Sequence, residues 1–144
     1  MSFNNWRHPE IIDGKPTIYL WVVKHTDRFE LGYKTDIGAY TYINAKYGVI
    51  IGDFVQIGSH CSIYSISTID DKHSEIRLMK GCRIGTHSVI MPGVSIGERS
   101  VIGAFSFVNS DIEAGVLAYG IPAKTVRKLT KDELNKMQQY EESR

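Results

Sequence analysis

Five histidines, His8, His25, His60, His73 and His87, are the side chains of this 144-residue chain best suited to moving a proton near neutral pH. His73 stands in a polar stretch, Ile69-Asp70-Asp71-Lys72-His73-Ser74-Glu75. There Asp70, Asp71 and Glu75 are close enough in sequence to orient an imidazole or raise its pKa, which is what a general base needs. His60 lies in Gly58-Ser59-His60-Cys61 and His87 in Gly85-Thr86-His87-Ser88. A second chemistry is phosphate binding. Lys124, Arg127, Lys128 and Lys131 put four cations into eight residues, and ammonium charges with a guanidinium fork suit phosphate oxygens. Cys61 and Cys82 have no CxxC partner. They read as free buried thiols of a reducing compartment, and no metal site is expected.

The elements that must carry these groups are set by a repeat. Aliphatic residues fall at Leu31, Ile37 and Ile43, then at Ile51, Ile57, Ile63 and Ile69, then at Leu78, Ile84, Ile90, Ile96, Ile102 and Val108. Within each block the spacing is six. The residue four places on is Ser, Thr, Cys or Val in ten of the thirteen cases, so a second column obeys the same period. The residue after the aliphatic is Gly at 32, 38, 52, 58, 85, 97 and 103 and Asn at 44 and 109, which predicts a corner with positive φ there. Short parallel strands with tight corners, stacked so that each turn buries its face on its neighbours, satisfy all three columns. Sandwich strands would recur at about 8–12 residues instead. His73 falls in the small inward column, and His60 falls outside both inward columns, so it should face outward. By this count His60 and His87 are four hexads apart, on different faces.

Composition closes other classes. At 42% apolar and 23% charged the chain is an ordinary globular sequence. A net charge of +1 gives no general field for nucleic acid. Residues 1–10 lack the apolar stretch of a signal peptide, and the longest apolar run, Ile18 to Val23, is far short of a membrane span. A cytoplasmic protein with no membrane partner is expected.

The segment Ile84-Gly85-Thr86-His87-Ser88-Val89-Ile90-Met91-Pro92-Gly93-Val94-Ser95-Ile96-Gly97 resembles the IGxxxVIxPGVxIG run of galactoside and maltose acetyltransferases. Val101-Ile102-Gly103-Ala104-Phe105-Ser106-Phe107-Val108 is similar to their VIGAGSVV, with Phe105 in place of Gly. Gly120-Ile121-Pro122-Ala123-Lys124-Thr125-Val126-Arg127-Lys128-Leu129 resembles their GxPAKxxRxI ending. The chain thus resembles the hexapeptide-repeat acyltransferases over about residues 31–129.

That resemblance implies an all-β fold, a left-handed parallel β-helix of about four coils with a short C-terminal α-helix. Residues 1–144 would form one domain: an N-terminal strand and cap at 1–30, the repeat at 31–115, and a tail with helix at 116–144. Thr17 to Val23 reads as a strand covering the first coil. Thr130 with Glu133 reads as the capping box of a helix that caps the last coil or packs on a neighbour.

The implied activity is acetyl transfer from acetyl-CoA to a sugar or nucleotide-linked amino sugar, between subunits of a homotrimer. His87, Gly103, Ala104, Ser106, Pro122, Ala123, Lys124, Arg127 and Lys128 would bind the donor. The family's catalytic His follows Thr or Asn in a THP-like motif, whereas here the stretch is Ser67-Thr68-Ile69-Asp70. Either His73, with Asp70, or His60 substitutes as base, or the acceptor is an amine that needs less help. Two alternatives share the fold: a metalloenzyme like the γ-class carbonic anhydrases, needing three converging His, and a non-catalytic solenoid scaffold.

Overall fold

The computed structural model describes residues 5–143. Its strands, numbered along the chain, fall on three faces. Face A holds β1 (Val22–Lys24), β4 (Tyr42–Asn44), β7 (Ser62–Tyr64), β12 (Val89–Ile90) and β15 (Phe107–Val108). Face B holds β2 (Phe29–Leu31), β5 (Val49–Ile51), β10 (Ile76–Leu78) and β13 (Ser95–Ile96). Face C holds β3 (Asp36–Ile37), β6 (Gln56–Ile57), β11 (Arg83–Ile84), β14 (Val101–Ile102) and β16 (Val116–Gly120), with antiparallel β17 (Ala123–Lys128) at its edge. All other pairings within the three faces are parallel, so the chain winds as a parallel β-helix. Outside the faces, β8 (Ile66–Ser67) and β9 (Lys72–His73) form an antiparallel hairpin. Among the described residues no helix is long and apolar enough to cross a membrane.

One aliphatic column fills each face. Face A stacks Val23, Ile43, Ile63, Ile90 and Val108. Face B stacks Leu31, Ile51, Leu78, Ile96 and Ile112, the last through an isolated bridge. Face C stacks Ile37, Ile57, Ile84, Ile102 and Ala118. All but the half-buried Leu31 are buried. Each buried Val, Leu or Ile of these columns contributes about 1.5–3 kcal/mol by leaving water.

The winding is longer than the hexad count predicts. Val23, Ile112 and Ala118 are additional rungs, so Val22–Lys24 is part of the first coil and not a strand laid over it. Ile69 is not a rung. It sits in the β8–β9 connection and is 99% exposed. The steps from face B to C and from C to A are six residues throughout, whereas those from A to B are eight, eight, fifteen, six and four. All length variation therefore sits at one corner of the prism.

The repeat glycines are explained differently from the expectation. Positive φ occurs further along, at non-glycine corner residues: Tyr40, His60, His87 and Phe105 between C and A, and Lys34, Phe54 and Arg99 between B and C. The left-handed conformation costs roughly 1–2 kcal/mol per residue. Coil-to-coil hydrogen bonds hold it. The N–H groups of Tyr40, His60, His87 and Phe105 donate to the carbonyls of Leu20, Ala39, Ser59 and Thr86 at 2.8–3.1 Å. Gly32, Gly38, Gly58, Gly85 and Gly97 instead sit where a Cβ would lie 2.3–2.5 Å from a backbone nitrogen of the next coil. They are glycine because adjacent coils touch.

The small column is buried where it was expected at Thr35, Thr41, Cys61, Cys82, Ser88, Ser100 and Ser106. Its hydroxyls donate to glycine carbonyls at the corners: Thr41 to Gly58, Ser88 and Ser106 to Gly103, Ser100 to Gly97. A small polar residue thus satisfies an inward-facing carbonyl that an aliphatic could not.

After β17 the chain forms α1 (Lys131–Glu142) with the predicted Thr130–Glu133 capping box. The helix runs back along its own solenoid. Glu141, buried, accepts two bonds from the corner residue Arg99 (Nε 2.8 Å and Nη2 3.1 Å), and the Arg83 guanidinium lies 5.4 Å from the Tyr140 ring centre.

Candidate active site

Rings line the corner between faces C and A. Tyr40, His60, His87 and Phe105 are the left-handed residues of successive coils. Their centroids are 5.2 Å apart for Tyr40–His60, 4.8 Å for His60–His87 and 5.0 Å for His87–Phe105. The two imidazoles are nearly parallel, at 7°. This corrects the placement of His60 and His87 on different faces: with Ile69 removed from the count they are one full coil apart, hence stacked. Both remain exposed, as expected of His60. Stacked parallel rings keep their in-plane lone pairs in separate, nearly parallel planes. They do not converge on a point at the zinc–nitrogen distance of about 2 Å, and among the described residues no three metal-ligating side chains cluster.

His73 lies elsewhere. It is exposed on β9, not in the inward column, and its ring stacks on Tyr47 at 4.2 Å and 20°. Of the three carboxylates expected to orient it, Asp70 and Glu75 are engaged otherwise. Asp70 accepts a hydrogen bond from Ser67 Oγ, which holds its pKa below the usual carboxylate value, and Lys72 lies 3.9 Å away. Glu75 pairs with Arg77 at 2.7 Å. His60 precedes β7 and the hairpin follows it, so the two candidate bases occupy opposite edges of face A. One chain does not bring them together.

The residues expected to bind the donor divide too. Ala104 is exposed beside Phe105, and Pro122, Lys124 and Lys128 are exposed on the terminal hairpin. Ala123 and Ser106 are buried. Ser106 Oγ donates to the Gly103 carbonyl at 2.6 Å and accepts from Gly120 N–H at 3.2 Å, so it ties the hairpin to the last coil rather than lining a groove. Gly103 packs on Tyr119. Arg127 is committed to Glu133 through two bonds of 2.7 and 3.0 Å, which hold the Glu133 carboxyl down to about 2. Of the cations expected to bind the donor, Lys124 and Lys128 are the exposed ones with no ion pair among the described residues. Cys61 and Cys82 are buried, and burial pushes the Cys82 thiol up to about 12, so neither is a nucleophile.

Three residues of this edge were not singled out as site residues: Tyr40, Phe105 and Thr86. The signal was available. Tyr40, His60, His87 and Phe105 each stand three places after a face C aliphatic.

Residues 75–110 match the family model for the bacterial transferase hexapeptide (six repeats), and the winding is similar to that of a hexapeptide-repeat acetyltransferase. Among particular proteins, the chain is 36% identical over 118 residues to the galactoside O-acetyltransferase of Escherichia coli K12, covering 70% of this chain and 57% of that one. The hexapeptide-repeat acetyltransferase VCA0836 of Vibrio cholerae, solved with acetyl coenzyme A, superposes with a TM-score of 0.73 at 29% identity, over 77% of this chain and 66% of that one. A mutant of the N-acyltransferase AntD of Bacillus cereus shares the fold, with a TM-score of 0.72 at 20% identity over 87% of this chain and 86% of that one. The chain spans little more than half the length of the galactoside enzyme.

Proposed function

We propose that this protein transfers an acetyl group from acetyl-CoA to a sugar or sugar-nucleotide hydroxyl or amine, as a cytoplasmic homotrimer with sites between adjacent copies. The observation that carries the reading is the C/A corner. It presents two exposed imidazoles on a backbone hydrogen-bonded from coil to coil, in a chain similar to a galactoside O-acetyltransferase. Preorganised groups of this kind suit direct transfer, in which the acceptor attacks the thioester carbonyl while a base takes its proton.

In a ring of copies, the His60 edge of one chain meets the hairpin edge of the next. His60, or His73 with Asp70, then supplies the base. The donor's arm follows Gly103 and Ala104, and Lys124 and Lys128 face its phosphates, with Pro122 and Ala123 shaping the turn that presents them.

The test is thiol release from acetyl-CoA with a panel of sugars and sugar nucleotides, together with the solution mass. Release with one acceptor class, from a particle of three chain masses, is expected. No release and no coenzyme A binding would leave a scaffold. His60→Ala and His73→Ala, assayed with the responsive acceptor, separate the two edges; full turnover in both removes each as base.

A further inference from the structure

The Thr86 hydroxyl donates to the Ser59 carbonyl at 2.7 Å. The same oxygen lies 2.8 Å from His87 Nδ1 and 3.3 Å from Ser59 Oγ. A hydroxyl has one proton and two lone pairs. With the proton committed to the carbonyl, both remaining contacts must be donated to Thr86. Ser59 O–H fills one and His87 Nδ1–H fills the other. Neutral His87 is thereby the Nδ1–H tautomer, and its lone pair is on Nε2.

Its orientation is fixed as well. His60 covers one face of the His87 ring at 4.8 Å and Phe105 the other at 5.0 Å, within 13° of parallel. Stacking sets the plane, and the Thr86 bond sets the rotation within it. Among the described residues neither the His60 ring nor the His73 ring makes a hydrogen bond, and His73 stacks on Tyr47. A base whose far nitrogen is anchored and whose near nitrogen carries a free lone pair follows the general logic of an oriented base.

We infer that His87 is a catalytic residue of the proposed transfer, its Nε2 taking the acceptor's proton, and that Thr86 is the positioning residue that fixes its tautomer. This rests on the acyltransferase reading, and it replaces both the donor-binding role expected for His87 and the base role given above to His60 or His73. The acceptor's oxygen or nitrogen forms a bond to the thioester carbonyl carbon as its proton passes to Nε2. The carbon–sulfur bond then breaks, and the departing thiolate takes that proton from Nε2–H, which restores the neutral imidazole.

Nitrogen-15 NMR of histidine-labelled protein, about two pH units above the ordinary histidine pKa of about 6.5, tests the tautomer without any substrate. Nε2 of His87 is expected to be the unprotonated nitrogen in the wild type and in Thr86→Ser, and to gain the proton in a large fraction of Thr86→Val. A protonated Nε2 in the wild type, or no change in Thr86→Val, overturns the positioning role.

Turnover tests the base. His87→Asn keeps a residue type that tolerates positive φ. It should lower kcat about 100-fold or more with little change in KM for acetyl-CoA. Thr86→Val should lower kcat roughly three- to tenfold, and Thr86→Ser should restore it. A raised KM with intact kcat in His87→Asn overturns the base assignment in favour of donor binding. If the wild type transfers acetyl to no acceptor, the acyltransferase reading and the base assignment fall together, while the NMR result still decides whether Thr86 fixes His87.

Discussion

Two glycines on the same side of the prism separate the two reasons a coil can require glycine. Gly97 has no positive φ, but a Cβ there would lie 2.3 Å from Ala114 N, 2.6 Å from Ala114 Cα and 2.6 Å from Glu113 C. Gly115 has φ +68° and nothing within 4 Å of its hypothetical Cβ. Gly115→Ala therefore meets only the left-handed penalty of roughly 1–2 kcal/mol, offset in part by about 0.4–1 kcal/mol from a stiffer unfolded chain. The net loss is about 1 kcal/mol. Gly97→Ala presses on backbone that is itself hydrogen-bonded between coils, and Ile112 N–H donates to Ser95 O just below it. Overpacking costs about 1–3 kcal/mol and more where nothing can yield, so about 3 kcal/mol or above is expected. At roughly 2–4 °C per kcal/mol for a chain somewhat larger than this one, Tm should fall by about 10 °C for Gly97→Ala and about 3 °C for Gly115→Ala. Circular dichroism melts of the two variants and the wild type give the comparison. Equal losses, or a larger loss in Gly115→Ala, would refute close coil contact as the reason for the glycine column.

Three further outcomes follow from named contacts. A carboxyl titration by NMR should find Glu133 at about 2 and should find it back toward the ordinary glutamate range in Arg127→Ala. Because the folded value is depressed, whatever this contact contributes to stability is present above the unfolded value of about 4.5 and is lost as pH falls from there through 2. Alkylation at pH 8 should leave Cys61 and Cys82 unmodified in the native protein and label both after denaturation; labelling of native Cys82 would contradict its burial and raised pKa. Glu141→Gln keeps the shape of a buried acceptor but weakens its bonds to Arg99. It should cost about 1.5–3 kcal/mol and speed amide exchange across α1, and unchanged exchange would show that the helix is held by other contacts.

The rungs were legible because an inward aliphatic recurs every six residues wherever no loop intervenes. Ile69 was misread for the same reason. It stands six residues after Ile63, and period alone cannot distinguish a rung from a residue that happens to fall in step on an extruded hairpin. Counting Ile69 as a rung separates His60 from His87 and hides the ring stack. Val23 was missed because its eight-residue step to Leu31 breaks the period. The glycine column is visible in the sequence but its cause is not: close approach of coils leaves no local mark, and the left-handed corners are occupied by Tyr, His, Phe, Lys and Arg rather than by glycine. The Thr130–Glu133 cap was readable from spacing alone. The use of Arg127 by Glu133 was not, since it depends on how the strand turns into the helix.

Two corners of the prism advance the chain by a constant six residues while the corner from A to B has absorbed steps from four to fifteen. Insertion there leaves every rung with its partner, because those partners belong to neighbouring coils and not to the chain on either side of the inserted segment. A doubled loop costs only about 0.6 kcal/mol in closure entropy. The short turn at Gly93 is thus a natural port for grafting. A foreign peptide spliced between β12 and β13 would have its ends spaced by the scaffold, so its length and sequence could be varied freely while the C/A ring stack stays in register on the far edge of face A.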